Sequence, residues 1–99
     1  MPYNTLNLEI DGPIAVLTLT RPEKRNAIST EMIEDIIAAL AEIQSGAARV
    51  VILTGEGKAF CSGMDLDELR AIAAHSPAEH LEDSRRIARM LRTVYSFPK

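Results

Sequence analysis

The stretch KAFCSGMDLDEL, residues 58–69, sets a small-residue turn, Cys61-Ser62-Gly63, between an apolar run and an acid-headed helical pattern. Two kinds of chemistry fit such a turn: a side-chain nucleophile, or backbone N–H groups directed at a ligand. Cys61 has no histidine near it in sequence, and a lone small cysteine is more often packing than nucleophile. A serine-hydrolase elbow needs glycine two residues before the serine, and position 60 is phenylalanine. Asp65, Asp67 and Glu68 could ligate a metal, but acids are common at helix starts and no glycine-containing calcium-loop spacing follows. The remaining readings are an ordinary strand-to-helix connection and a backbone site in which glycine admits a ligand close to the chain.

Other chemistry-bearing residues stand elsewhere. Lys24-Arg25 lies in a charged loop, RPEKRN, residues 21–26, and reads by itself as a plain surface turn. His75 and His80 straddle Ser76-Pro77 at a spacing that does not share a helix face, and read as solvent-exposed. Arg85, Arg86, Arg89 and Arg92, beside Glu82 and Asp83, read as a solvated face or a subunit contact.

The elements that must position these residues follow from periodicity. Leu6, Leu8 and Ile10 alternate on one face of a half-buried strand; Asp11-Gly12-Pro13 is turn chemistry. In IAVLTLT, residues 14–20, Ala15, Leu17 and Leu19 share a face, and the strand reads as more buried than the first. Ser29 or Thr30 caps a helix whose stripe is Ile33, Ile36, Ile37, Leu40 and Ile43, with Gly46 as its stop. RVVILTG, residues 49–55, reads as a strand covered on both faces. Strand, helix and strand over 14–54 predict a right-handed βαβ crossover with parallel strands. Asp65 and Glu68 predict a capping-box-like start to the next helix. Ser76-Pro77-Ala78-Glu79 predicts a stronger one, for a last helix running to about Phe97. Ile87, Met90, Leu91, Val94 and Phe97 line one side of that helix. The predicted fold class is α/β: a hairpin, a crossover, then two helices.

Ninety-nine residues, 46% apolar and 25% charged, are one domain of ordinary globular composition, read as a single unit over 1–99. A net charge of −3 gives no reason to expect nucleic acid or anionic membrane as a partner. A single cysteine excludes an intrachain disulfide and suits a reducing compartment. The N-terminus lacks the basic and apolar regions of a signal peptide, and no run is long enough to span a bilayer. The expected location is therefore cytoplasmic. Open strand edges and an apolar last helix give the chain the character of part of a longer fold, or of a protomer that needs a partner.

Three segments, in order, carry a resemblance: VLTLTRPEKRNAIS, VVILTGEGKAFCSGMDL and YSFPK. The Arg-Pro followed by Asn-Ala, and the Phe-x-x-Gly-x-Asp-Leu run, resemble the N-terminal part of the crotonase superfamily, the enoyl-CoA hydratase/isomerase proteins. The resemblance spans essentially the whole chain. It implies a ββα-superhelix fold, commonly trimeric or hexameric, acting on acyl-CoA thioesters, with coenzyme A arriving as part of the substrate and no separate cofactor. It implies that the backbone N–H of Met64, after Gly63, is one donor of an oxyanion hole that stabilises a thioester enolate. Such a donor is set in place before the reaction, and losing one typically costs about 100- to 1000-fold in rate. The resemblance also places Lys24, Arg25 and Ala27 along the CoA moiety, and Ser62, Asp65 and Leu66 beside the adenine and pantetheine channel.

The same resemblance places the second oxyanion donor and the catalytic glutamates of the hydratases on segments beyond residue 99. The expectation is an acyl-CoA-processing protein of enoyl-CoA hydratase/isomerase type whose 99-residue chain is inactive alone. The alternative is a non-catalytic α/β fragment that binds CoA or serves in assembly.

Overall fold

A computed structural model describes residues 3–99. Strands β1 (Leu6–Asp11) and β2 (Ile14–Leu19) form an antiparallel hairpin, with Leu6 opposite Leu19 and Asp11 opposite Ile14. Gly12 supplies the positive φ, +57°, that the tight connection needs. A 3₁₀ turn (Pro22–Lys24) leads to helix α1 (Thr30–Gln44), which returns the chain to β3 (Val50–Gly55), parallel to β2. The sheet order is β1-β2-β3. Helices α2 (Leu66–Ala73) and α3 (Pro77–Tyr95) complete the fold.

One face of the sheet packs on α1. Ala15, Leu17 and Leu19 meet Met32, Ile33, Ile36, Ala39, Leu40 and Ile43, all buried. Period-2 alternation in the strand and period-3.6 spacing in the helix present matching apolar surfaces, and burying each large aliphatic side chain contributes about 1.5–3 kcal/mol. α3 lies against α1 instead of the sheet, burying Met90, with Ile87 and Phe97 partly covered.

Several expectations are corrected. β3 is not covered on both faces. Among the described residues it is an edge strand, and the side chains facing away from α1, Val50 (46% exposed) and Ile52 (48% exposed), lie open with the paired Ile14. A continuous β-branched run fits two-sided burial, but what packs on each face decides it, and among the described residues only the α1 side of β3 is covered. On β1 the apolar face thins along the strand: Leu6 is buried, Leu8 half-buried and Ile10 exposed. α1 does stop just before Gly46, though Gly46 is not among the residues of positive φ. The helix ends at Gln44, with Ser45 in right-handed conformation. The Lys99 ammonium donates to the carbonyls of Ile43, Gly46 and Ala48 at that end. α3 ends at Tyr95, two residues short of the expected point.

Ser76 does form a full capping box. Its Oγ accepts from the Glu79 N–H, and the Glu79 carboxylate accepts from the Ser76 N–H.

His80 is exposed, as expected, whereas His75 is half-buried, and both make hydrogen bonds. His75 Nδ1 lies 2.7 Å from Asp83 Oδ2, and His80 Nε2 lies 2.7 Å from the Ile72 carbonyl. Both contacts span the turn between α2 and α3 at Ser76. No helix among the described residues is long and apolar enough to cross a membrane.

Candidate functional site

Two loops build the site: residues 20–29 after β2, and 56–65 after β3. Parallel strands end at the same edge of the sheet, so these loops are neighbours. In the first loop Arg25 and Asn26 both take left-handed conformation, φ 52° and 56°. Asparagine tolerates this region better than most residues.

Asn26 is wholly buried. Its Oδ1 accepts from the Arg21 N–H at 2.8 Å. Its Nδ2 donates to the carbonyls of Glu56 at 3.0 Å and Ala59 at 2.8 Å. A β-carbon on Gly55 would lie 2.8 Å from that Nδ2 and 2.6 Å from the Phe60 carbonyl oxygen. Glycine at the end of β3 therefore lets the two loops close on each other. The Asn-Ala pair drew attention in the sequence, but the role of Asn26 appears only when residues 30 and more apart meet.

The loops then run side by side as an isolated parallel bridge between Ile28 and Met64. The Ile28 N–H donates to the Gly63 carbonyl at 2.7 Å, and the Asp65 N–H donates to the Ile28 carbonyl at 2.9 Å. Successive peptide groups in extended chain point to opposite sides. The peptides on either side of Met64 serve the bridge, so the Met64 N–H points away from Ile28. Among the described residues it donates to no protein acceptor, and it lies outside the first turn of α2. Gly63 holds φ +111°, and a β-carbon there would meet nothing within 4 Å. Torsion, not crowding, requires glycine at this point.

Asp65 anchors the far side. Its Oδ1 accepts from the N–H groups of Asp67 at 2.8 Å and Glu68 at 3.2 Å, capping α2. Its Oδ2 receives Arg21 Nη2 at 2.9 Å, while Arg21 Nη1 donates to the Ala27 carbonyl at 2.6 Å. The Arg21 guanidinium, together with the Glu68 and Asp67 N–H groups, holds the buried Asp65 carboxyl below the usual carboxylate range, against the opposing effect of burial. Glu68 does not close the expected capping box, because the Asp65 N–H is committed to Ile28. Its carboxylate instead accepts from the N–H of Thr30 at 2.9 Å and from the Thr30 hydroxyl at 3.2 Å, joining α2 to the start of α1.

Two clefts meet at Met64. The first, about 280 Å³, brings together Lys24, Ala27, Ser62, Met64, Asp65 and Leu66. Asp67 and Arg70, from the first turns of α2, complete its wall. Sequence reasoning did not single these two out for this site; their i, i+3 spacing on a helix that begins at the loop is the signal that could have. Lys24 Nζ lies 3.9 Å from Asp67 Oδ2, and Arg70 Nη1 lies 3.5 Å from Asp67 Oδ1. Arg25 is not part of this wall. Its side chain is exposed and its carbonyl accepts from the Ser62 N–H at 3.1 Å. Gly63 shapes the approach without lining it.

The second cleft, about 400 Å³, lies between α2 and α3. Met64, Leu69, Ile72 and Ile87 give it a largely apolar lining, with His80 and Asp83 among its polar residues. Met64 thus borders both a cleft bearing cations and a cleft bearing apolar side chains. That arrangement suits a ligand with an anionic part, a polar oxygen in the middle and an apolar end. Cys61 packs against the core and is half-buried. Among the described residues no group of three His, Cys, Asp or Glu side chains is placed to hold a metal.

The comparisons with known proteins bear on the same region. The profile of the family described as Enoyl-CoA hydratase/isomerase matches residues 9–99. A Rhodobacter capsulatus protein named "Probable enoyl-CoA hydratase" is 39% identical over 98 residues, which is 99% of this chain and 37% of that protein. The hydroxycinnamoyl-CoA hydratase-lyase of Pseudomonas fluorescens is 45% identical over 67 residues, covering 67% of this chain and 24% of its own length. Among solved structures, an enoyl-CoA hydratase from Shewanella pealeana superposes with a TM-score of 0.94 at 29% identity, covering 97% of this chain and 37% of that one. An enoyl-CoA hydratase/isomerase from Xanthobacter autotrophicus gives 0.92 at 28% identity, over 99% and 37%. The chain spans little more than a third of the relatives that match its whole length. It has the crotonase fold's N-terminal hairpin, crossover and helices, and it belongs to the enoyl-CoA hydratase/isomerase family.

Proposed function

We propose that the chain binds an acyl-CoA thioester and donates the Met64 N–H to the thioester oxygen. The observation that carries this is the direction of that N–H. The Gly63 carbonyl of the same peptide accepts from Ile28, so the Met64 N–H points away from the bridge, and Met64 is a residue that lines both clefts. The phosphate-bearing part of the ligand lies toward Lys24, the pantetheine arm passes Ala27, Ser62 and Leu66, and the acyl group enters the apolar cleft beside Leu69 and Ile72. Asp65 contributes by capping α2 and holding Arg21, not by touching the ligand.

In this reading the whole protein stabilises an enolate or related oxyanion formed from the thioester. A backbone amide suits the task because it needs no reorganisation as charge develops. Proton transfer needs acid–base groups matched to the reaction. The carboxylates that line the two clefts are engaged otherwise: Asp65 with Arg21, Asp83 with His75, and Asp67 with Lys24 and Arg70. The 99-residue chain therefore binds without turning over. The complete catalytic unit is an oligomer of longer chains, and the exposed Leu91, Val94 and Tyr95 of α3 are the surface offered to a neighbour.

The decisive experiment replaces Met64 by its α-hydroxy acid analogue, which exchanges the N–H for an ester oxygen and leaves the side chain intact. Binding is compared for a thioester, butyryl-CoA, and for free CoA, which has no carbonyl at that place. Loss of the thioester's advantage, with CoA affinity unchanged, is the expected result. An unchanged ratio of the two affinities rules out the Met64 N–H as the donor. Turnover of crotonyl-CoA by the 99-residue chain alone at enzyme-like rates overturns the assignment of missing proton-transfer groups.

A further inference from the structure

We infer that Arg70 is a phosphate-binding residue and that Asp67 restrains it, holding Arg70 and Lys24 over the cleft until an anionic ligand displaces the carboxylate. This rests on the acyl-CoA reading above and adds to it the residues that set how strongly, and at what salt concentration, the nucleotide end is held. The geometry carries it. Asp67 stands between two cations that come from different elements, Lys24 from the 3₁₀ turn and Arg70 from α2. Its two oxygens serve one cation each, at 3.9 Å and 3.5 Å, longer than a well-made charged hydrogen bond. All three side chains are at least half exposed. Contacts of this kind are weak and screened by salt. A phosphate oxygen pair offers a guanidinium the two-pronged geometry that Asp67 does not provide here.

The other ion pair of the cleft is different in kind. Arg21 and Asp65 are largely buried, 2.9 Å apart, and committed to the loop architecture. They neutralise each other and leave the charge of the rim to Lys24, Arg70 and Asp67. Two cations and one anion make the rim net positive by one charge, and removal of the Asp67 charge doubles that. Asp67 therefore lowers affinity for the anionic ligand while keeping both cations near the cleft.

Four variants of the full chain test this: Arg70→Ala, Lys24→Ala, Asp67→Asn and, as a control, Glu9→Gln, which removes one negative charge from β1 away from the cleft. Calorimetric affinities are measured for CoA, 3′-dephospho-CoA and an acyl-pantetheine without phosphates, at low and at physiological salt. Circular dichroism verifies that each variant is folded. Asp67→Asn is expected to tighten CoA binding about threefold to fivefold at low salt, less at physiological salt, and to leave acyl-pantetheine unchanged. Arg70→Ala is expected to weaken CoA about fivefold to tenfold and to flatten the salt dependence, and Glu9→Gln to change nothing. The dephospho ligand tells which phosphate is held. If CoA binds and Asp67→Asn and Arg70→Ala leave its affinity unchanged, the inference is overturned and the acyl-thioester reading stands. If neither CoA nor the acyl-pantetheine binds at all, the acyl-thioester reading fails and the inference with it.

Discussion

The guanidinium of Arg21 joins Asp65 and the Ala27 carbonyl, so that one side chain pins both loops on either side of the Ile28–Met64 bridge. Removing the acid breaks a buried pair and uncaps α2 together. Asp65→Ala is expected to lower the unfolding free energy by about 3 kcal/mol, near the low end for an orphaned buried charge, read by urea denaturation. A loss under 1 kcal/mol counts against the pin.

The same pair sets an acid limb. The Asp65 carboxyl lies below its ordinary value when folded, so the stability it contributes is present above the unfolded value, about 3.9, and is lost as the pH falls from there through the folded value. Stability followed from pH 6 down to 2 should fall along this limb in the native protein. In Asp65→Asn, which starts from a lower plateau, the fall should be shallower over the same range. An identical slope in both would exclude Asp65 as its source.

His75 and Asp83 act with opposite signs. The His75 pKa is raised, chiefly by its hydrogen bond to Asp83, and the Asp83 carboxyl is lowered by the same bond. The histidine's contribution is complete below its unfolded value, about 6.5, and is lost as the pH rises through the higher folded value. The carboxylate's contribution is lost as the pH falls below the ordinary carboxylate range. The α2–α3 junction is thus best held between roughly pH 4 and 6.5. A proton NMR titration should place His75 above His75 in Asp83→Asn; coincident titrations would rule out the pairing.

Two glycines are required for different reasons, and alanine separates them. At Gly55 the added carbon meets the Phe60 carbonyl at 2.6 Å, so Gly55→Ala should destabilise by about 1–3 kcal/mol through crowding and displace the Asn26 amide. At Gly63 there is room, so Gly63→Ala pays only for its torsion, about 1–3 kcal/mol, and turns the Met64 amide. Thioester affinity should therefore suffer more in Gly63→Ala than in Gly55→Ala for equal loss of stability, measured by calorimetry beside thermal melts.

Asn26 makes hydrogen bonds to three backbone groups. Asn26→Asp keeps the acceptor for the Arg21 N–H but sets a carboxylate against the carbonyls of Glu56 and Ala59. A cost of about 3 kcal/mol or more is expected, since a buried donor has been exchanged for a charge. A melting temperature equal to that of the native chain would show that the loops do not depend on this side chain.

The local parts of this structure were legible in the sequence. Ser76-Pro77-Ala78-Glu79 gave the start of α3 because a capping box needs only residues within one turn. The hairpin and α1 were legible because their apolar periods are complete within each segment. What the sequence did not reveal lies in pairings across the chain. Glu68 has the correct spacing to serve Asp65, yet it serves Thr30, 38 residues earlier. β3 is composed like an interior strand, yet its place in the sheet is set by what pairs beside it. Asp67 and Arg70 entered the candidate site only when the 3₁₀ turn came to face α2.

The outward side of the sheet governs how the chain behaves in the tube. Ile14, Val50 and Ile52 form an apolar patch on β2 and on β3, whose outer edge has no partner strand among the described residues, a combination that favours clumping between copies. Turbidity should rise with protein concentration, and more steeply on warming, because the attraction between such patches strengthens as water is heated. A single lysine at position 52 should delay clouding without loosening the packing beneath α1.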